Sequence, residues 1–256
     1  MTEKKVVRVD SDSDAEDNVP TDNGPTWKPT ADANGKATQF RLIAAGLWVV
    51  AIGLELYGIF GVLRDDDVNM VLLIALIVVI GILAIGGSLL WKKANHLDPA
   101  SKQDTVRFFV QNQLGAIISI VAFLPLIILI VTNKNLDPKQ KALAGGIGAV
   151  VMLAATYIGV DTNPASVEQY TAETNSVTSA TGGTNLVYWT KAGKVFHICN
   201  EVSDLQRESK DNKIYEGTVA EAHAAGKDRL TLKIAQEQKQ CGLTPKPSTP
   251  TASATP

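Results

Sequence analysis

The chain has 256 residues, with 24 Lys and Arg against 26 Asp and Glu, so its formal net charge of −2 offers no overall basic field for nucleic acid. The apolar residues make up 45% of the total and are unevenly placed: both ends are polar and the middle is almost wholly apolar, a partition that fits a membrane bundle plus one small domain. Three His and two Cys (Cys199 and Cys241) are too few for a cysteine-built metal framework, and two free thiols are the simpler expectation beside a single disulfide.

Residues 1–38 carry the acidic run Asp10, Asp12, Asp14, Glu16 and Asp17, then a Gly, Pro, Asn and Thr-rich stretch. Such a segment buries too little apolar surface to offset its ordering entropy, and a disordered acidic tail is expected. Ser11 and Ser13 lie among the acids as phosphate acceptors, with a plain solubilising tail as the simpler reading. The N-terminus has no apolar h-region, so the first apolar helix is expected to direct insertion.

Residues 39–160 read as a domain of four transmembrane helices, at about 42–63, 70–91, 112–132 and 142–160. The second, Met70 to Trp91, has no charged residue and no polar face, and at about 1.5 Å per residue its length covers a bilayer core. The first contains one acid near its midpoint, Glu55. An ionised carboxylate in hydrocarbon costs several kcal/mol, so Glu55 is expected to be protonated, paired or turned into the bundle. No Lys, Arg or His lies in the other three spans to pair with it. Asn112, Gln113, Ser119 and Thr156 are the polar side chains that could face it. The loop Arg64 to Val68 between the first two spans is very short and predicts an antiparallel hairpin.

Asp98-Pro99 and Asp137-Pro138 each read as an N-cap followed by a first-turn proline, and Asp161 to Pro164 as a third such start. Pro125 removes a backbone donor within the third span and predicts a kink there. The fourth span holds small residues four apart (Ala142 and Gly146, Gly145 and Ala149, Ala144 and Gly148), so one face can approach a neighbour closely. With the N-terminus inside, Lys36, Arg41, Lys92, Lys93, Lys102 and Arg107 fall on the inner side. Arg64, Lys134, Lys139 and Lys141 fall on the outer side, a modest bias for both termini in the cytoplasm.

Residues 161–185 read as a linker, with a short polar helix over 165–174 and a flexible SVTSATGGTN over 176–185. A small α+β module is expected over 186–241. Leu186 to Thr190 and Val195 to Cys199 form a hairpin about the Lys191-to-Lys194 turn, Thr218 and Glu221 form a capping box, Gly226 stops that helix, and Arg229 to Ile234 alternates as a third strand. Residues 242–256 read as a disordered Pro/Ser/Thr tail. His96 and His223 are expected to be solvated.

The stretch LVYWTKAGKVFHI followed by KIYEGTVAEAHAAGKDRL resembles a small zinc-ribbon-like module of bacterial envelope and nuclease-type proteins. In that module a Tyr-His hairpin precedes a Cys-x-x-Cys segment, and the resemblance implies a zinc site of one His and three Cys. His197 matches the family histidine, whereas Val202, Thr231 and Ile234 stand where the cysteines belong, so the module is degenerate here. Zinc needs four donors in a structural site, and Cys199 and Cys241 are the remaining weak candidates beside His197. The layout as a whole resembles uncharacterised four-helix membrane proteins of Gram-positive bacteria. Gly-x-x-x-x-Gly-Lys-Ser/Thr, Gly-x-Ser-x-Gly and His-Glu-x-x-His are all absent, so no enzyme is indicated. The expectation is an α-helical, multi-pass cell-membrane protein without an assigned cofactor, presenting its module to a protein partner or a second copy. The alternatives are a small transporter or channel subunit using Glu55, and a zinc or redox sensor using His197, Cys199 and Cys241.

Overall fold

A computed structural model describes residues 4–9 and 27–244. The chain divides into two compact units, one running from Gly35 to Pro164 and the other combining the N-terminal residues up to Asn34 with those from Ala165 onward.

The first unit is helical, and its four helical stretches are each long and apolar enough to cross a membrane: Ala31–Val62, Met70–Leu97, Thr105–Thr132 and Pro138–Gly159. α1 (Ala31–Tyr57) continues into a π-helical turn at Gly58–Val62, where the Leu63 N–H reaches back five residues to the Gly58 carbonyl at 2.9 Å. α2 (Met70–Leu97) opens on Asn69, whose side chain accepts from the Leu72 N–H. The Asp98-Pro99 pair does not start a helix. Asp98 instead closes α2 and accepts Arg41 at 2.7 Å, while Asp104 caps the next helix.

The third stretch is two helices rather than one kinked helix. α3 (Thr105–Val121) ends two residues before Phe123, and α4 (Leu124–Thr132) begins with Pro125 in its first turn. The break therefore precedes the proline, because a proline is accommodated at a helix start, where an N–H would go unpaired anyway. α5 (Pro138–Gly159) starts as expected, with Asp137 and Gln140 forming a reciprocal capping box.

α2, α3 and α4 all pack on α5, and small residues set the distances. A Cβ on Gly159 would sit 2.6 Å from the Ala116 nitrogen, and one on Gly148 3.0 Å from Ile127 Cγ1, whereas Gly146 meets nothing within 4 Å. The close face of α5 is thus that of Ala144, Gly145 and Gly148, and Gly146 faces away. Polar ties gather at the ends of the bundle. At one end Trp91 Nε1 donates to the Gln111 carbonyl at 2.8 Å, Lys92 to the Val160 carbonyl at 2.6 Å, and Trp48 lies 5.4 Å from Trp91. At the other, the Asn133 amide donates to the Leu63 carbonyl at 2.7 Å.

The second unit is a small α+β head that is larger than the expected 186–241 module. The presumed linker holds a helix, α6 (Val167–Ala180), capped by Ser166 rather than by Asp161. Within the expected tail 1–38, Lys5–Arg8 forms β1, Trp27 is buried, and α1 has already begun at Ala31. Ser11, Ser13 and the acidic run lie outside the described residues, as does the C-terminal tail beyond Thr244. β2 (Val187–Trp189) and β3 (Val195–Phe196) meet in an antiparallel bridge at Tyr188 and His197, then enter different sheets. β4 (Lys213–Gly217) lies between β1, parallel, and β2, antiparallel. β3 pairs in parallel with β5 (Arg229–Leu230), which stops well short of Ile234, the first residue of α9 (Ile234–Gln240). α7 (Ser203–Glu208) precedes β4, and α8 (Val219–Ala224) carries the expected Thr218–Glu221 capping box and ends before Gly226 at φ +78°. The core holds Val177, Val187, Trp189, Phe196, Ile198 and Val219, all at most 2% exposed.

Candidate functional site

Glu55 is the one acid in the apolar part of the bundle, and it is buried at 3% exposure. Its position follows from the opening of the third stretch. In an unbroken helix the Leu126 N–H would bond four residues back, but between α3 and α4 it is freed and donates instead to the Glu55 carboxyl. The other carboxyl oxygen, Oε1, has no hydrogen-bond partner among the described residues. None of the four polar side chains singled out in the sequence supplies that partner. Asn112 and Ser119 donate to carbonyls of their own helix at 2.8 Å, and Thr156 Oγ1 is itself buried without a partner among the described residues. The group that meets Glu55 is a backbone N–H, for which no side-chain signal exists; Pro125 was the available clue.

In the head, Cys199 and Cys241 are joined in a disulfide, with Cα atoms 6.6 Å apart, in place of the two free thiols expected. His197 Nδ1 lies 2.7 Å from Glu237 Oε1, and the second oxygen of Glu237 accepts the Ile198 N–H at 3.2 Å. The three weak metal candidates are thus engaged with one another or with Glu237. Among the described residues no group of three or more His, Cys, Asp or Glu is placed to hold a metal. Zinc as the resemblance implies it does not fit this donor set: one imidazole remains, and it is already tied to a carboxylate.

His223, expected in solvent, is 2% exposed. Its ring stacks on Tyr170 at 3.5 Å and meets Phe196 edge-on at 5.2 Å. Nδ1 lies 2.9 Å from the Lys227 carbonyl and Nε2 2.8 Å from Glu173 Oε2, so both ring nitrogens face acceptors. His96 is 40% exposed in its side chain and lies 3.8 Å from Asp161.

Lys227 is a buried lysine that the sequence did not single out. Its ammonium donates to the carbonyls of Thr190 at 2.8 Å, Lys191 at 3.3 Å and Gly193 at 2.6 Å, closing the turn between β2 and β3. Burial pulls its pKa down from the ordinary lysine value of 10.5, with Asp228 and Glu208 opposing. The hydrogen bond and charge of Lys233 hold Asp204 below the usual carboxylate range, and burial together with Glu216 pushes the Tyr188 phenol up. These pairs knit the head internally. Among the described residues the ionisable groups with a buried oxygen lacking a hydrogen-bond partner are Glu55 (Oε1) and Asp161 (Oδ2), and of the two Glu55 lies within the apolar part of the bundle.

Compared with known proteins, the chain matches no family, no curated protein and no solved structure.

Proposed function

We propose that this is a non-enzymatic, multi-pass integral protein of the cell membrane whose four apolar helices anchor a small head for contact with a partner protein or a second copy of the chain. The observation that carries this reading is the pairing of β1 with β4. Residues 5–8 and 213–217 flank all four apolar stretches in sequence yet share one sheet. Strands on opposite sides of a bilayer cannot pair, and an even number of crossings returns the chain to the side it left. The loop bias in Lys and Arg supports that side being the cytoplasm.

A redox-sensing variant of this reading is favoured by one observation, the Cys199–Cys241 bond. In a reducing cytosol such a bond is characteristically transient and regulatory rather than permanent.

The test is site-specific photocrosslinking in intact cells from position 232, where Leu232 is 84% exposed. A discrete adduct that disappears when Trp189→Ala opens the head core supports partner contact. An adduct of the chain with itself identifies a homo-oligomer. No adduct from position 232 or its exposed neighbours overturns the partner reading.

A further inference from the structure

We infer that Glu55 is an exchangeable proton-binding site built at the break between α3 and α4. The inference rests on the reading that the four apolar helices cross a bilayer. It goes beyond anchoring, because an anchor has no need of a buried acid.

Three independent features converge on this carboxyl. First, Glu55 is 3% exposed and half satisfied: one oxygen takes the Leu126 N–H, and Oε1 has no partner among the described residues. Second, the N–H it holds belongs to the first turn of α4, a nine-residue helix whose N-terminal end carries positive partial charge. Third, the helix bearing Glu55 changes its winding within a turn of it, at the π-helical Gly58–Val62. A Cβ on Gly58 would lie 3.5 Å from the Leu126 side chain, so the two irregular segments lie against each other.

The ligand is fixed by what surrounds the carboxyl. No Asp, Glu, Lys, Arg or His lies in residues 70–91, 112–132 or 142–160, so the apolar parts of α2 to α5 supply no counter-ion. The charged residues and the histidine of these helices, Lys92, Lys93, His96, Arg107, Lys139 and Lys141, lie at their ends. The phenols of Tyr57 and Tyr157 belong to side chains that are 53% and 78% exposed. The neighbouring core, including Ile59, Leu76, Leu126 and Ile130, is apolar. A metal cation would demand about six oxygen ligands, which such a lining does not supply. A proton needs none beyond the carboxyl itself. It also leaves an O–H that can donate, and the break provides acceptors. Pro125 has no N–H to give the Val121 carbonyl, and the N–H that would serve the Ala122 carbonyl has gone to Glu55.

Protonation and helix geometry are then linked. As a carboxylate, Glu55 holds the positive end of α4 with a charge-assisted hydrogen bond. As a neutral acid it holds that end more weakly, so gain or loss of the proton acts on the α3–α4 break.

The experiment is infrared spectroscopy of the full chain in lipid vesicles, reading the C=O stretch of a protonated carboxyl in apolar surroundings. The expected result is a band in the wild type that shifts in D2O, fades as pH is raised, and is missing from Glu55→Gln, whose amide oxygen can still accept from Leu126. If the Gln variant does not fold, Glu55→Asp replaces it and must move the band. Absence of the band in the wild type overturns the proposal, as does a band insensitive to D2O and pH. A band removed at constant pH by Na+ or K+ also overturns it, in favour of a metal-cation site. Alkaline carbonate extraction of the same vesicles separates the two claims. A chain that washes off the membrane defeats the membrane reading, whereas an inserted chain without the band defeats only the proton site.

Discussion

Nε2 of His223 lies 2.8 Å from Glu173 Oε2, joining α8 to α6 through a pair in which the imidazole is 2% exposed. The second ring nitrogen reaches the Lys227 carbonyl, and the ring face rests on Tyr170. One side chain, expected from the sequence to be solvated, thereby ties together a helix in the segment that the sequence presents as linker, its own helix, and the turn after it.

Removing one member of this pair strands the other in the head. Glu173→Ala is expected to destabilise the head by about 2 kcal/mol, the scale for leaving a buried polar group without its hydrogen-bond partner. Replacing both residues, His223→Phe with Glu173→Leu, is expected to cost less than the single change. Thermal unfolding of the detergent-solubilised protein, followed by protease sensitivity of the head, distinguishes them. Equal losses in the single and double variants would refute the pairing.

Lys227 gives the head a pH dependence of definite sign. Burial lowers its folded-state pKa below the unfolded value of 10.5, so between those two values the unfolded chain binds more protons than the folded one. Head stability contributed by this group therefore rises with pH across that window and is level below it. Lys227→Met is expected to abolish the rise, and at neutral pH to destabilise the head because three turn carbonyls lose their donor. Denaturant titrations of wild type and variant at neutral and alkaline pH provide the measurement. A falling wild-type contribution over that window would contradict the burial argument.

The Cys199–Cys241 bond closes a loop of sequence separation 42. On the chain-entropy account its loss should cost about 4 kcal/mol. Cys199→Ser and Cys241→Ser are each expected to lower the unfolding midpoint of the head, and by similar amounts. Reductant should lower the wild type towards the variants and leave the variants unchanged. A head indifferent to reductant would show that the bond contributes nothing to its stability.

Two glycines of α5 should respond in opposite ways. A side chain at Gly159 meets the backbone of Ala116 at 2.6 Å, and backbone cannot give way without moving a helix. Gly159→Val is expected to cost about 3 kcal/mol or more by overpacking. Gly146→Ala meets open space and should be neutral or slightly stabilising, since alanine favours helix over glycine by about 1 kcal/mol. Detergent melting of the bundle, read by circular dichroism, compares them directly.

What the sequence alone determined here is whatever depends on neighbours along the chain. Apolar runs marked the four helical stretches long enough to cross a membrane, since hydropathy is a sum over consecutive residues and tolerates a single Glu55 or Pro125. The capping boxes at Asp137–Gln140 and Thr218–Glu221 were legible because both partners lie within one turn. Asp98-Pro99 misled for the same reason: the pair can close one helix or open the next, and its contact with Arg41 decides between them. Glu55 stood out in the sequence as an acid without a counter-charge, and Pro125 as an interruption, but nothing in either residue says that they serve one site.

Only the tertiary structure decided the features built from residues distant in sequence. β4 lacks a strong alternating pattern, and it is a strand because β1 and β2 flank it, the former about 200 positions away. α6 is rich in Ser and Thr, poor helix formers, and is held by burial of Tyr170, Thr174, Val177 and Ala180. The disulfide, the His223–Glu173 pair and the Leu126 N–H at Glu55 likewise arise from long-range closure. The physical reason is common to all of them: a backbone donor or a side-chain partner becomes available only when a distant segment folds against it, and residue type does not encode that availability.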